Sequence, residues 1–306
     1  MTHYLRIDGS GKGQEIWRID DNEAVRLGVT NPKDGPGAYF RREESETIWQ
    51  AIGRMTPWFH DDVSPFHQTT LGPRQFYPRI ARPLAPGVGH SLRSPSADRE
   101  ADVVAMGRGQ ATALMRQLDL ICQTVHPASE TLDVFGHQIR NLLILAATEV
   151  ETHWRGVLVA NGVLKDRYST ADYVRLLKPM RLDEYAVAFP SQPWLPSVTP
   201  FAHWDADRPT ASLDWYDAYN AVKHNREHDF ARASLRHAFS AVSAVIVLLA
   251  AQFSRSIGLG GASELSAYFR FSQTPIWSPA EIYIDLAETD VEWTPGPLPD
   301  LSLIHI

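Results

Sequence analysis

The most apolar stretch of the sequence is AFSAVSAVIVLLAAQF, which runs from Ala238 to Phe253. It has 16 residues and includes Ser240 and Ser243, whereas a membrane-spanning helix needs about 20 apolar residues. The run therefore predicts a helix that is buried on every side in a protein core. A helix of this kind requires other helices or a sheet packed around it.

The composition is that of an ordinary globular protein. The chain has 306 residues, of which 44% are hydrophobic, and its formal net charge is −7. This charge argues against a generally basic nucleic-acid binder, although it leaves room for a local basic patch. Cys122 is the single cysteine, which excludes an intrachain disulfide and a cysteine-based zinc cluster. We therefore expect a reducing, cytoplasmic location, with no signal peptide and no membrane association.

Helical periodicity dominates the centre of the chain. Apolar spacing and stop signals such as Asn161-Gly162 predict a mainly α protein, with an antiparallel helical bundle over residues 101–258. We expect the helices at 101–125, 133–160, 170–178, 212–229 and 231–256.

The remaining segments are expected to form a small β-containing accessory region. Residues 1–100 are mixed and rich in proline and glycine, and residues 259–300 are expected to form an extended or short-strand arm. HYLRID and QEIWRID alternate apolar with polar residues around GSGKG, which predicts a hairpin. SETIWQAIGRM predicts a short helix capped by its serine. SAYFRF, EIYIDLA and VEWTP indicate short strands, which we expect to pair with the N-terminal ones.

The C-terminal residues LSLIHI, Leu301–Ile306, match the translation of a transposon adaptor used in sequencing libraries. We expect these residues to be an assembly scar and leave them out of the fold prediction.

A polar stretch, DWYDAYNAVKHNREHDF, precedes the apolar run. Residues three or four apart share a helix face. Asn220 and His224 therefore form one line with Glu227 or His228, and Lys223 and Arg226 lie beside it. The preceding long helix carries acids that are natural partners for these cations, namely Glu149 and Glu151.

We call the line of polar residues from Asn220 to His228, together with Glu149 and Glu151, the seam. Three interpretations of this seam remain open. It could be an interhelical ion-pair network that fixes the register of the helices. It could bind a metal through His224-x3-His228 and Glu149-x3-His153, although neither a zincin nor a di-iron motif is present. It could also be a ribonuclease site, in which a histidine transfers protons and a cation stabilises the phosphorane.

The sequence YNAVKH, at the end of one helix and followed by a long apolar helix, resembles the HEPN superfamily. The resemblance covers about residues 130–256 and implies a helical bundle with a metal-independent RNase motif, Arg-Asn-x3-His. Asn220 and His224 match that motif, while Tyr219 stands at the arginine position. The resemblance implies that His224 is the general acid/base, that Asn220 orients it or contacts phosphate, and that Lys223 or Arg226 supplies the charge.

The resemblance further implies a cytoplasmic bacterial or phage defence or toxin factor that cleaves or binds RNA as a homodimer. No cofactor is expected, and a protein partner such as an antitoxin fits the family. The alternative is a non-enzymatic structural or protein-interaction module. In that case Asn220, Lys223, His224 and Arg226 would face the helix interface and be satisfied by Glu149 or Glu151.

Overall fold

The computed structural model describes residues 2–7, 14–56, 66–85, 94–259, 263–286 and 292–298, with the side chain of Arg226 excepted. The suspected scar at 301–306 lies outside these residues. The chain divides into two compact units. The sheet unit comprises Met1–Phe76, Arg82–Arg93 and Ile276–Gly296, and the helical unit comprises Tyr77–Ala81, Ser94–Pro275 and Pro297–Ile306.

The described strands are short. In chain order they are β1 (Thr2–Ile7), β2 (Gln14–Ile19), β3 (Glu23–Leu27), β4 (Tyr39–Arg41), β5 (Phe66–Gln68), β6 (Gln75–Phe76), β7 (Leu84–Ala85), β8 (Ala186–Ala188), β9 (Arg270–Gln273), β10 (Tyr283–Ile284) and β11 (Thr294–Pro295).

The described α-helices lie in the helical unit, except the first, which lies in the sheet unit. In chain order they are α1 (Ile48–Met55), α2 (Pro95–Arg99), α3 (Ala101–Thr124), α4 (His137–Ala160), α5 (Thr170–Tyr173), α6 (Leu177–Met180), α7 (Asp214–His224), α8 (Arg226–Asp229) and α9 (Leu235–Phe253). Short 3-10 helices lie at Val174–Leu176, Leu182–Glu184, Phe230–Arg232, Arg255–Ile257, Glu264–Ala267 and Pro279–Glu281.

The sheet unit is built on five antiparallel strands in the order β4-β3-β2-β1-β5. The predicted hairpin is confirmed, because β1 pairs with β2 from Thr2 opposite Ile19 to Ile7 opposite Gln14. One face of the sheet buries Trp17 and Phe40, whose rings stack 5.4 Å apart, against the apolar side of α1. The sheet therefore has a hydrophobic core of its own.

The prediction of a mainly α fold is wrong. Helices account for 46% of the protein and strands for 15%, and the five-stranded sheet makes it a mixed α/β protein. The physical reason is the separate sheet core, since an accessory layer would have relied on the helices for burial.

The short helix α1 forms where it was expected, but its cap differs. Thr47, rather than Ser45, is the N-cap. The Thr47 hydroxyl accepts from the Gln50 backbone N–H, and the Gln50 side chain accepts from the Thr47 backbone N–H. This reciprocal capping box satisfies two N–H groups that the first turn leaves free.

The buried helix is α9, which packs against α3, α4 and α7. Within the described chain, α9 is long and apolar enough to cross a membrane, but 83% of its most apolar 18-residue segment is buried inside the protein. Burial on all sides is what the apolar run predicted.

The helix predicted at 212–229 is interrupted. α7 ends at His224, and Asn225 adopts a non-helical backbone conformation before α8 begins at Arg226. The predicted polar line required His224 and His228 to lie on one continuous helix, and this part of the prediction is wrong. The helix predicted from 133 also starts later, at His137.

The C-terminal strands form, but not with the expected partners. β10 pairs in parallel with β7, and β11 pairs in parallel with β6, both within the sheet unit. In the helical unit, β9 pairs with β8. In the sheet unit, the Arg74 guanidinium lies 2.8 Å from the Asp285 carboxylate and joins the segment before β6 to the end of β10.

Trp154 on α4 lies at the centre of the helical unit and is fully buried. We expect Trp154→Ala to lower the free energy of unfolding by about 3 to 5 kcal/mol, because it removes apolar contacts and leaves a cavity. Trp194 is the matched control, since its side chain is 54% exposed. Urea denaturation of both variants provides the measurement, and an equal loss in the two would contradict the central role of Trp154.

Candidate functional site

The polar stretch of the sequence forms α7, which presents two different faces. Its inner face carries Trp215, Tyr216, Tyr219 and Val222, all of them buried. Tyr219, at the position that the HEPN motif gives to arginine, is 1% exposed. It is therefore part of the protein interior.

Tyr216 connects α7 to α4. Its hydroxyl donates a hydrogen bond of 2.7 Å to the Glu151 carboxylate. Burial, reinforced by this bond to an acid, raises the pKa of Tyr216, so the phenol stays protonated and remains a donor. The bond fixes the rotation of α7 against α4.

Lys223 folds back on its own helix. Its ammonium donates to the Tyr219 hydroxyl at 2.7 Å and lies 4.9 Å from the centre of the same ring. The hydrogen bond to Tyr219 raises the pKa of Lys223, and the nearby Glu151 acts in the same direction. A positive charge is thus held in a fixed place at the end of α7.

The remaining predicted residues lie near the surface. Asn220 is partly exposed, whereas Lys223 and His224 are exposed at the last turn of α7. Arg226 begins α8, and its side chain is outside the described part of the chain. The structure therefore joins Tyr216 with Glu151 and Lys223 with Tyr219, and it leaves His224 on the protein surface.

Glu149 belongs to a different cluster. Its carboxylate lies 3.4 Å from Nε2 of His153, which is 4% exposed. On the other side of the imidazole, the Gln252 amide lies 3.0 Å from Nδ1 and also donates to the Leu248 carbonyl. Because an amide nitrogen can only donate hydrogen bonds, Nδ1 of His153 is the acceptor. The proton of the neutral imidazole is therefore on Nε2, the nitrogen that faces Glu149.

Burial sets the charge of this cluster, with Arg79 adding to its effect. Burial, with the positive charge of Arg79 in addition, lowers the pKa of His153 to about 4, so His153 is neutral near pH 7. Burial raises the pKa of Glu149. Arg79 itself is paired with Glu100 through its Nε at 2.8 Å. The cluster is an internal polar network of the helical unit, and His153 is held neutral within it.

The described residues contain no group of three or more His, Cys, Asp or Glu side chains placed to hold one metal ion. The four ligands of the metal hypothesis do not come together, because Glu149 and His153 lie in the buried cluster and His224 lies on the surface. No family model, curated protein or solved structure matches the chain. The HEPN resemblance therefore stays a prediction that depends on Asn220, His224 and their surroundings.

Sequence reasoning found Glu149 and His153 by their spacing but missed their partners. The available signal was Gln252, the one amide in the apolar run that became α9. A side-chain amide in a fully buried helix needs a hydrogen-bond partner. Arg79 gave no such signal, because it lies in a proline-rich segment far from α4 in the sequence.

Tyr216→Phe tests the connection between α4 and α7. We expect the free energy of unfolding to fall by about 1 to 3 kcal/mol, because the charged Glu151 carboxylate loses the hydrogen bond that the Tyr216 hydroxyl donates. Tyr185→Phe is the control, since this buried tyrosine makes no hydroxyl hydrogen bond within the described residues. Chemical denaturation gives both values, and equal losses would show that the hydroxyl of Tyr216 does not hold the helices together.

His153 predicts a pH dependence of stability. Its pKa is about 4 in the folded protein, against 6.5 for an ordinary histidine, so the unfolded chain binds an extra proton between these two values. Stability should therefore rise with pH from about 4 to 6.5, by at most about 3 kcal/mol. Glu149, with its raised pKa, contributes with the opposite sign.

The measurement is the urea midpoint of the wild type and of His153→Leu between pH 4 and 7. The variant should lose most of this slope, whereas replacing the exposed His224 by Gln should keep it. A slope that persists unchanged in His153→Leu would contradict the assignment.

Proposed function

We propose that the protein binds and cleaves RNA at the exposed end of α7, as a factor of bacterial or phage defence. The observation that carries this proposal is the position of Asn220, Lys223 and His224. A purely structural seam needs these side chains inside the helix interface, yet Lys223 and His224 are exposed and Asn220 is partly exposed. Polar groups at a surface can reach a substrate.

In this proposal His224 accepts the proton of an RNA 2′-hydroxyl while the 2′-oxygen attacks the adjacent phosphorus. The 5′-oxygen leaves and takes up a proton, which a second histidine could supply if two copies of the chain form the site. Asn220, one turn before His224, would hydrogen-bond a phosphate oxygen. The products are a cyclic phosphate and a free 5′-hydroxyl, and no metal or cofactor takes part.

Lys223 takes the role of the arginine that the motif lacks. Tyr219 is buried in the protein interior, so it does not act on RNA itself. Its hydroxyl instead holds the Lys223 ammonium at 2.7 Å. In our proposal Tyr219 is therefore a positioning residue, and Lys223 stabilises the charge that develops on the phosphorane.

A second candidate is a non-enzymatic interaction module, and two contacts favour it. The bonds of Tyr216 to Glu151 and of Lys223 to Tyr219 also suit a helix that is locked in place as a scaffold. The ion-pair form of this hypothesis does not fit, since Glu151 bonds Tyr216 and Glu149 faces His153. A scaffold would thus rely on phenol hydrogen bonds.

The test is cleavage of structured and unstructured RNA by the purified chain without added metal. We expect His224→Ala to lower the rate by about 100-fold or more, as for loss of a general acid/base. His228→Ala is the matched control, because this exposed histidine lies beyond the break at Asn225. Lys223→Gln should lower the rate at unchanged RNA affinity if the ammonium acts in the transition state.

Thermal melting separates the two candidates. Removing an exposed imidazole should leave the melting temperature of His224→Ala almost unchanged. Absence of cleavage by the wild type at high protein concentration would refute the enzyme. A large drop in melting temperature for His224→Ala would favour the scaffold.

A further inference from the structure

A cavity of about 270 Å³ opens between α3 and the segment that follows α9 in the helical unit. Its polar lining comes from Arg108, Thr112, Ser263 and Glu264, and its glycines are Gly109 and Gly258. The volume lies slightly below that of most ligand sites, which usually measure about 300–1,000 Å³. The cavity thus suits a small molecule.

The Arg108 guanidinium lies close to Gly258. A Cβ atom at position 258 would lie 2.8 Å from the Arg108 guanidinium nitrogen Nη2, closer than such atoms approach. Gly258 also has a φ of +86°, which favours glycine. Glycine at position 258 therefore lets the exposed Arg108 guanidinium lie close to the backbone, at the wall of the cavity.

The cavity has an excess positive charge. Glu264 is neutralised by Arg116, whose Nε donates to its carboxylate at 2.9 Å. Arg108 makes no ion pair with any acid in the described ranges. One uncompensated cation therefore faces the cavity. It can pair one negative charge of a ligand, whereas the second charge of a dianion would lose water without gaining a partner.

Ser263 adds a hydrogen-bonding group to the same cavity. Its Oγ is buried and has no hydrogen-bond partner. Buried hydroxyls are almost always paired, so an orphaned one needs an explanation. Arg108 and Ser263 thus offer donors without partners to one space, while Ala105 and Leu265 give it an apolar side.

We propose that this cavity binds a small monocarboxylate. The carboxylate would accept from the Arg108 guanidinium, which matches two carboxylate oxygens with its planar fork, and from the Ser263 hydroxyl. A short branched or aromatic group would lie against Ala105 and Leu265. The site is independent of α7, and its test does not rely on RNA cleavage.

The experiment is calorimetric titration of the full chain with isobutyrate and benzoate. Each acid is compared with its neutral amide, and inorganic phosphate serves as the dianion. We expect a carboxylate to bind at least about tenfold more tightly than its amide and than phosphate, as for a charge-assisted hydrogen bond. Arg108→Gln should weaken carboxylate binding at least tenfold, and Ser263→Ala should weaken it by a smaller factor.

Arg236→Gln is the matched control, because this exposed arginine lies elsewhere in the helical unit and pairs with Asp133. It should leave binding unchanged, which separates a local contact from the overall charge. Arg108→Lys keeps the positive charge but lacks the planar guanidinium, so it should bind the carboxylate with intermediate affinity. This variant provides the test if Arg108→Gln does not fold. Equal binding of acid and amide, preference for phosphate, full binding by Arg108→Gln, or no binding at millimolar acid would each overturn the proposal.

Discussion

The stacking of aromatic rings around Trp154 is the constraint on which the helical unit depends. Its indole stacks on the rings of Tyr173 and Trp204, with centroids 5.0 and 4.8 Å away and planes inclined by 29° and 25°. Phe201 and two α7 residues, Trp215 and Tyr216, complete the cluster. Rings of this size bury a large area in fixed relative orientations. Trp154 therefore decides where the connector after β8 lies and where α7 attaches to α4.

The two acids on α4 show why the predicted seam divides into two. Glu149 and Glu151 are two positions apart, which places them about 200° apart around a helix of 3.6 residues per turn. One therefore faces His153 and α9, and the other faces Tyr216 on α7. A sequence search for partners treats both acids as equivalent, whereas helix geometry makes them members of separate networks.

What the sequence predicted well was local. The hairpin of β1 and β2, the helix α3 and the buried helix α9 follow from alternation or helical period within one segment. What it could not predict was long-range: the pairing of β7 with β10 and the bond of Tyr216 to Glu151 join segments far apart in the chain. The five-stranded sheet was underestimated for the same reason, since each strand is too short to indicate a separate core. Lys223 and Tyr219 are four residues apart, so spacing alone could have suggested their contact.

Gln252 has a further consequence for α9. Apolar contacts have no direction, so a helix that is hydrophobic on every side could slide or turn by a fraction of a pitch at little cost. The amide of Gln252 bonds both its own helix, at Leu248, and the imidazole of His153 on α4. Any shift of α9 along its axis would break the bond of this amide to His153, whereas the bond to Leu248 moves with the helix. One polar side chain thus sets the register of α9 against α4, because the shift would cost a buried hydrogen bond.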